Sequence, residues 1–146
     1  MALLTVRRYG DPVLRRKAQP IPAVTPEIRG LISDIVETMY QLAGIGLAAP
    51  QVGISLRLIV VDDERQSAAL ALINPLVTAS GGSVVGEEGC LSLPGIFGMV
   101  ERSEWVRVEA LDGEGLPQRF EARGLLARVI QHEIDHLDGL LFIDRL

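Results

Sequence analysis

His132 and His136 are the only two histidines in a chain of 146 residues, and they sit in one word, His132-Glu133-Ile134-Asp135-His136. Residues four apart share a face of an α-helix, so both imidazoles can reach one metal ion if this stretch is helical. Glu133 lies one step round the helix, beside such an ion without having to bind it, where it can move protons for a water held there. The word names a reaction class, metal-assisted hydrolysis, and it constrains the fold. A helix close to Leu146 has to turn this face inward, and something elsewhere has to complete its site. The bland alternative is a surface helix with two solvated histidines. Leu125, Leu126, Val129, Ile130 and Leu137 argue against it, because they make an apolar face around the pair and a buried imidazole needs a partner.

A catalytic site of this kind usually has three protein ligands and one open position. In the longer pattern H-E-x-x-H-x-x-G-x-x-H a third histidine follows; here Gly139 fits but the last position is Phe142, which cannot ligate. No Glu follows Glu133 before Leu146 to take its place. The third ligand is therefore expected upstream, among the carboxylates and the single cysteine, Cys90. A lone cysteine is usually a small buried apolar residue. The flanking Gly89 and the missing ligand favour Cys90, since a thiolate is a strong, soft ligand. The missing downstream ligand also argues against a small zinc peptidase that cuts internal peptide bonds.

A third segment is Gly44-Ile45-Gly46-Leu47-Ala48-Ala49-Pro50-Gln51. Its plain reading is a helix stop and a tight turn. Its small residues also allow close backbone approach, and Gln51 offers both a donor and an acceptor.

The rest of the chain reads as α+β. Residues 1–25 form an extended or looped entry. Thr25 caps a helix with Pro26 at its first position. Ile28, Leu31, Ile32, Ile35, Val36 and Met39 recur at helical spacing, which predicts one amphipathic helix over 26–42, stopped by Gly44. Strands are expected at 56–62 and at 70–78, the second with an edge or bulge at Pro75. Residues 62–65 read as a charged, solvated turn and 80–83 as another turn. Val106 to Ala110 alternates like a half-buried strand, and Asp112-Gly113-Glu114-Gly115 turns into 116–122. A final helix runs from about Gly124 to Leu137. The expectation is one compact domain, 1–146, of antiparallel strands packed around the C-terminal helix, with an N-terminal helix beside them.

Composition narrows the class further. One cysteine makes no intrachain disulfide, which favours a reducing compartment. A net charge of −5 without a basic block argues against direct nucleic-acid binding. No apolar run approaches the ~18 residues of a membrane span, and the first residues lack the pattern of a signal peptide. A cytoplasmic enzyme is the expectation.

Taken together, Gly44–Gln51, Glu88-Gly89-Cys90-Leu91-Ser92 and Gln131–Gly139 resemble, in order and spacing, the signature of the peptide deformylases. Tyr9–Arg15 and Gly139–Leu146 are similar to that family's opening and close, so the resemblance covers essentially the whole chain. It implies removal of the formyl group from N-formylmethionine at the start of newly made polypeptides. It implies metal ligands Cys90, His132 and His136, a general base Glu133, and oxyanion donors in the Gln51 side-chain amide and the Leu91 backbone N–H. It also implies Fe²⁺, with Ni²⁺, Co²⁺ or Zn²⁺ able to substitute. By position near these words, Ile45, Leu91, Leu126 and Ile130 are candidates for the methionine pocket, and a strand edge near Gly46 or Gly89 for pairing with the peptide. Two departures stand out. The family often has a polar or basic residue where this chain reads Gly95-Ile96-Phe97-Gly98-Met99. Many bacterial members also continue into a basic C-terminal helix associated with ribosome docking, so that docking is not carried over.

Overall fold

The computed structural model describes residues 3–63 and 68–146; of the charged turn expected at 62–65, Glu64 and Arg65 lie outside the described residues, while Asp62 and Asp63 end a strand instead. Helix α1 spans Pro26–Gln41, capped by the Thr25 hydroxyl, which accepts the Ile28 N–H. Its end differs from expectation. The left-handed residue is Ala43 at φ 56°, not Gly44. The Ala43 N–H donates to the Tyr40 carbonyl and the Gly44 N–H to the Met39 carbonyl, which is the Schellman pattern. Gly44 is small for a different reason: a Cβ there would stand 3.0 Å from Leu91 Cδ1.

Among the described residues seven strands follow: β1 Gly46–Ala48, β2 Leu58–Asp63, β3 Ala68–Gly81, β4 Val84–Cys90, β5 Leu93–Arg102, β6 Trp105–Leu111 and β7 Pro117–Arg123. Five form an antiparallel sheet in the order β1-β2-β3-β6-β7, and β4 and β5 pair separately as a hairpin. Pro75 does sit at a break in register, between Ile73 and Leu76 of β3. Beside it Asn74 takes φ 53° and ties the entry segment down, exchanging side-chain hydrogen bonds with the Ile21 backbone.

Helix α2, Gly124–Leu137, packs on one face of the large sheet and α1 on the other. Strand β2 shows why its sequence is a continuous apolar run. Ile59 and Val61 meet Ile130 and Leu137 of α2, while Leu58 and Val60 meet Ile35 and Met39 of α1. A third apolar cluster joins Val13 and Leu14 to Leu93 and Val100 of β5 and to Leu141 and Phe142. The α+β arrangement with antiparallel strands around the C-terminal helix is the one expected. Strands β1, β4 and β5 were not. Among the described residues no helix is long and apolar enough to cross a membrane.

Candidate metal centre and active site

A helix advances about 100° per residue, so α2 divides its side chains between two jobs. Leu125, Val129, His132 and Glu133 line a pocket of about 480 Å³, with His136 buried on the same side. Leu126, Ala127, Ile130, Ile134 and Leu137 turn into the core against the sheet. Of the residues expected near the methionine pocket, Leu126 and Ile130 pack in the core against the sheet and do not line this pocket. Ile45, Gly46, Gly89 and Leu91 do line the pocket, joined by Leu93, Ile96 and Phe97.

Cys90 is the last residue of β4, and the register of the β4–β5 hairpin shifts between Gly89 and Cys90. Such a shift re-aims a side chain. Here Cys90 meets α2: its Sγ lies 3.4 Å from His136 Nε2. One ligand atom each from Cys90, His132 and His136 fall within 4.8 Å of one another. That spacing is close to twice a metal–ligand bond of ~2.0–2.3 Å.

Glu88 lies two residues before the cysteine and is buried. His132 Nδ1 donates to its Oε1 at 2.9 Å, which leaves the opposite ring nitrogen for the ligand cluster. Arg102 donates twice to Glu88, each at 2.9 Å, and Arg128 once at 2.6 Å. Burial pushes the Glu88 carboxyl up, but Arg102 and His132 outweigh it and hold the group well below the usual carboxylate range. Arg102 also donates to Asp135, which accepts two further bonds from Arg145. The Phe142 ring stacks on His132 with centroids 6.2 Å apart. Position and tautomer of His132 are therefore set from several sides.

The other titratable groups have distinct environments. Burial opposes a charge on His132, yet Cys90 and Glu88 raise its pKa to about 10. Burial, reinforced by His132, lowers His136 well below its ordinary value, so this imidazole is neutral and fit to ligate. Burial raises Glu133 to about 7, and its Oε1 is buried without a hydrogen-bond partner among the described residues. A carboxyl near neutrality is suited to accept and return a proton. Gln51 sits in a 3₁₀ turn, Ala49–Val52, and is buried. Its Oε1 accepts the Ala48 N–H at 2.9 Å, which aims its Nε2 at Cys90 Sγ, 3.4 Å away.

Two soft or borderline nitrogen donors and a sulfur, one imidazole held in a fixed tautomer by a carboxylate, fit a divalent transition-metal ion. The sequence reading did not assign Glu88, Arg102, Asp135, Arg145 or Phe142 any role. Glu88 had a usable signal, because a ligating histidine almost always donates its other nitrogen to a carboxylate or carbonyl. The others are brought in by the β4–β5 hairpin and the last turn, which local sequence does not reveal.

An α+β fold that sets two helical imidazoles and a helical carboxylate against a cysteine from a neighbouring hairpin belongs to a metal-dependent hydrolase. Residues 3–146 match the profile described as polypeptide deformylase, and the chain belongs to that family. A peptide deformylase of Thermodesulfovibrio yellowstonii is 50% identical, covering 100% of this chain and 90% of its own length. One from Halothermothrix orenii is 51% identical over 99% of this chain and 94% of its own. Among solved structures, the Thermotoga maritima peptide deformylase superposes with a TM-score of 0.96 at 43% identity, covering 100% of this chain and 99% of that one. The Synechococcus elongatus enzyme in complex with actinonin gives 0.94 at 49% identity, over 98% and 78%.

Proposed function

We propose that this chain hydrolyses the formyl amide of N-formylmethionyl peptides, the starts of nascent chains, releasing formate and a free α-amine. The observation that carries this is the meeting, at the floor of one pocket, of the Cys90, His132 and His136 donor atoms with the unpartnered Glu133 carboxylate oxygen and the Gln51 amide. A divalent ion held by Cys90, His132 and His136, Fe²⁺ in this reading with Ni²⁺, Co²⁺ or Zn²⁺ able to substitute, supplies Lewis-acid polarisation and lowers the pKa of water.

The chain's own groups do the rest. Glu133 takes a proton from the attacking water as its oxygen bonds to the formyl carbon. Gln51 Nε2 and the Leu91 N–H donate to the formyl oxygen as it becomes negative. Glu133 returns the proton to the leaving nitrogen as the carbon–nitrogen bond breaks, so one water is consumed and no other co-reactant is needed. Ile45, Leu91, Leu125 and Val129 offer apolar walls for the methionine side chain. The peptide backbone pairs with free strand edges: β1 is an outer strand of its sheet, and β4 pairs only with β5. A thiolate ligand needs a reducing compartment, and the cytoplasm is the setting this reading implies.

The test is anaerobic purification with metal analysis, then formate release from formyl-Met-Ala-Ser beside acetyl-Met-Ala-Ser. Release from the formylated peptide alone is expected. A metal-loaded chain inert on it overturns the proposal.

A further inference from the structure

Gln51 reaches the pocket from one segment and Leu91 from another, 40 positions apart in the sequence. If both donate to one oxygen, their separation has to be fixed, and neither segment fixes it alone. The link is Ser92. Gln51 Nε2 donates to Ser92 Oγ at 3.2 Å, and this bond is fully buried. Because Ala48 N–H can only donate, Gln51 Oε1 must face it and the amide cannot flip. One amide hydrogen is then taken up by Ser92 Oγ, and the other is left toward Cys90 Sγ and the pocket.

The backbone repeats this tie. The Arg7 N–H donates to the Gln51 carbonyl at 2.6 Å, and the Tyr9 N–H donates to the Ser92 carbonyl at 2.8 Å. Two residues of the entry segment, two positions apart, thus hold the same two positions that the side chains join. Ser92 is fully buried and does not line the pocket, so it reaches no substrate.

We infer that Ser92 is a positioning residue for the reaction: with the Ala48 N–H setting which way the Gln51 amide faces, the Ser92 hydroxyl anchors its Nε2 and sets the spacing between that donor and the Leu91 N–H. The inference rests on the deformylase reading above. Removing the hydroxyl leaves one buried amide hydrogen without its acceptor and the carboxamide held by the Ala48 bond alone, so the aim of Nε2 is less closely fixed. The loss falls on the step where negative charge develops and not on peptide binding.

The experiment is a double-mutant cycle on the metal-loaded chain, with Ser92→Ala, Gln51→Ala and the pair, reading kcat, KM, bound metal and Tm. Ser92→Ala is expected to lower kcat about tenfold with KM and metal content unchanged. In the Gln51→Ala background, itself slower by about 10²–10³, it is expected to change nothing further. The same kcat loss in both backgrounds, or a rise in KM with kcat kept, overturns the inference. Should Ser92→Ala fail to fold, Ser92→Thr retains the oxygen. Kept activity, or a loss seen only with Gln51 present, supports the proposal; an equal loss in both backgrounds overturns it. A wild-type chain that releases no formate refutes the deformylase reading instead, so the two failures are distinguishable.

Discussion

Glu88 accepts hydrogen bonds from His132, Arg128 and, twice, Arg102, although it is neither ligand nor base. Glu88→Gln keeps the shape and removes the charge, leaving Arg102, whose side chain is 3% exposed, with Asp135 as its remaining carboxylate partner. Because that partner stays, the cost is expected below the ~3–5 kcal/mol of leaving a buried charge unpaired. Losing the brace on a ligating histidine costs ~10–100-fold in metal affinity. Urea unfolding and competition with a chelator check the two separately, and unchanged metal affinity would reduce Glu88 to a structural role. Glu133 carries a pH prediction for the metal-free chain. Its pKa rises on folding from an ordinary 4.5 to about 7, so between these values the native chain holds a proton that the unfolded chain releases. Stability is then full below about 4.5 and falls as pH rises through 7. His132, raised from 6.5 to about 10, adds a fall of the same sign at higher pH. Urea titrations between pH 4.5 and 6.5 should show the slope in the wild type and a flatter one in Glu133→Gln. His132, Glu133 and His136 of α2 were legible as a group because helical spacing alone puts them together. Cys90 was favoured once no histidine or downstream glutamate was left to serve. That Leu126 and Ile130 pack in the core was not legible, because periodicity gives the width of an apolar stripe, not which flank of it meets the sheet.

At the scale of elements, the two helices and strands β2, β3, β6 and β7 were readable from caps, turns and apolar runs. The β4–β5 hairpin was not. Gly86, Gly89, Gly95 and Gly98 interrupt its pattern, and one face leaves Val85, Phe97 and Met99 exposed, so alternation gives no inward side. β1 has only three residues, too few to show a period. Yet these unread elements frame the pocket, and their glycines differ in consequence. A Cβ on Gly46 would lie 2.7 Å from Glu133 Oε2 and 2.8 Å from Val129 Cγ1. A Cβ on Gly89 would meet the Phe97 ring at 2.7 Å, but that ring is 64% exposed and can swing away. Gly46→Ala is therefore expected to lower kcat/KM for a formyl-Met peptide by about 10², the cost of a shifted reacting group. Gly89→Ala should cost less than about tenfold. Steady-state kinetics on both variants decide the order, and the reverse ranking would mean that the β1 edge does not border the reacting centre.

Over the whole molecule, the entry segment is where sequence reading recovered shape without purpose. Residues 1–25 were expected to be an extended or looped entry, and residues 3–25 are that, broken by one 3₁₀ turn, Pro12–Arg15. What they do was invisible, because backbone bonds leave no side-chain signature. The Arg7, Tyr9 and Ala18 N–H groups donate to the Gln51, Ser92 and Leu137 carbonyls, one in each segment that builds the site. Arg15 then ties this strap to the other end of the chain, donating to the Gly139 carbonyl and pairing with Asp144. Asp144 also accepts the Leu141 N–H. Asp144→Asn keeps one oxygen to accept from Leu141 and removes the charge and one of the two acceptors that Arg15 meets. The Arg15 bond chiefly holds the Asp144 pKa below its ordinary 3.8, so the native chain releases a proton that the unfolded chain retains on acidification. The stabilisation is therefore present above pH 3.8 and disappears as pH falls through the lower folded value. The Arg15 and Asp144 side chains are 43% and 32% exposed, so solvent and salt screen the pair. The substitution should cost less than about 1 kcal/mol at pH 7. Urea unfolding of both chains at pH 7 and near pH 3, in low and high salt, tests this: the gap should narrow with acid and with salt. A gap that ignores both would place the strap's anchorage in the backbone bonds alone.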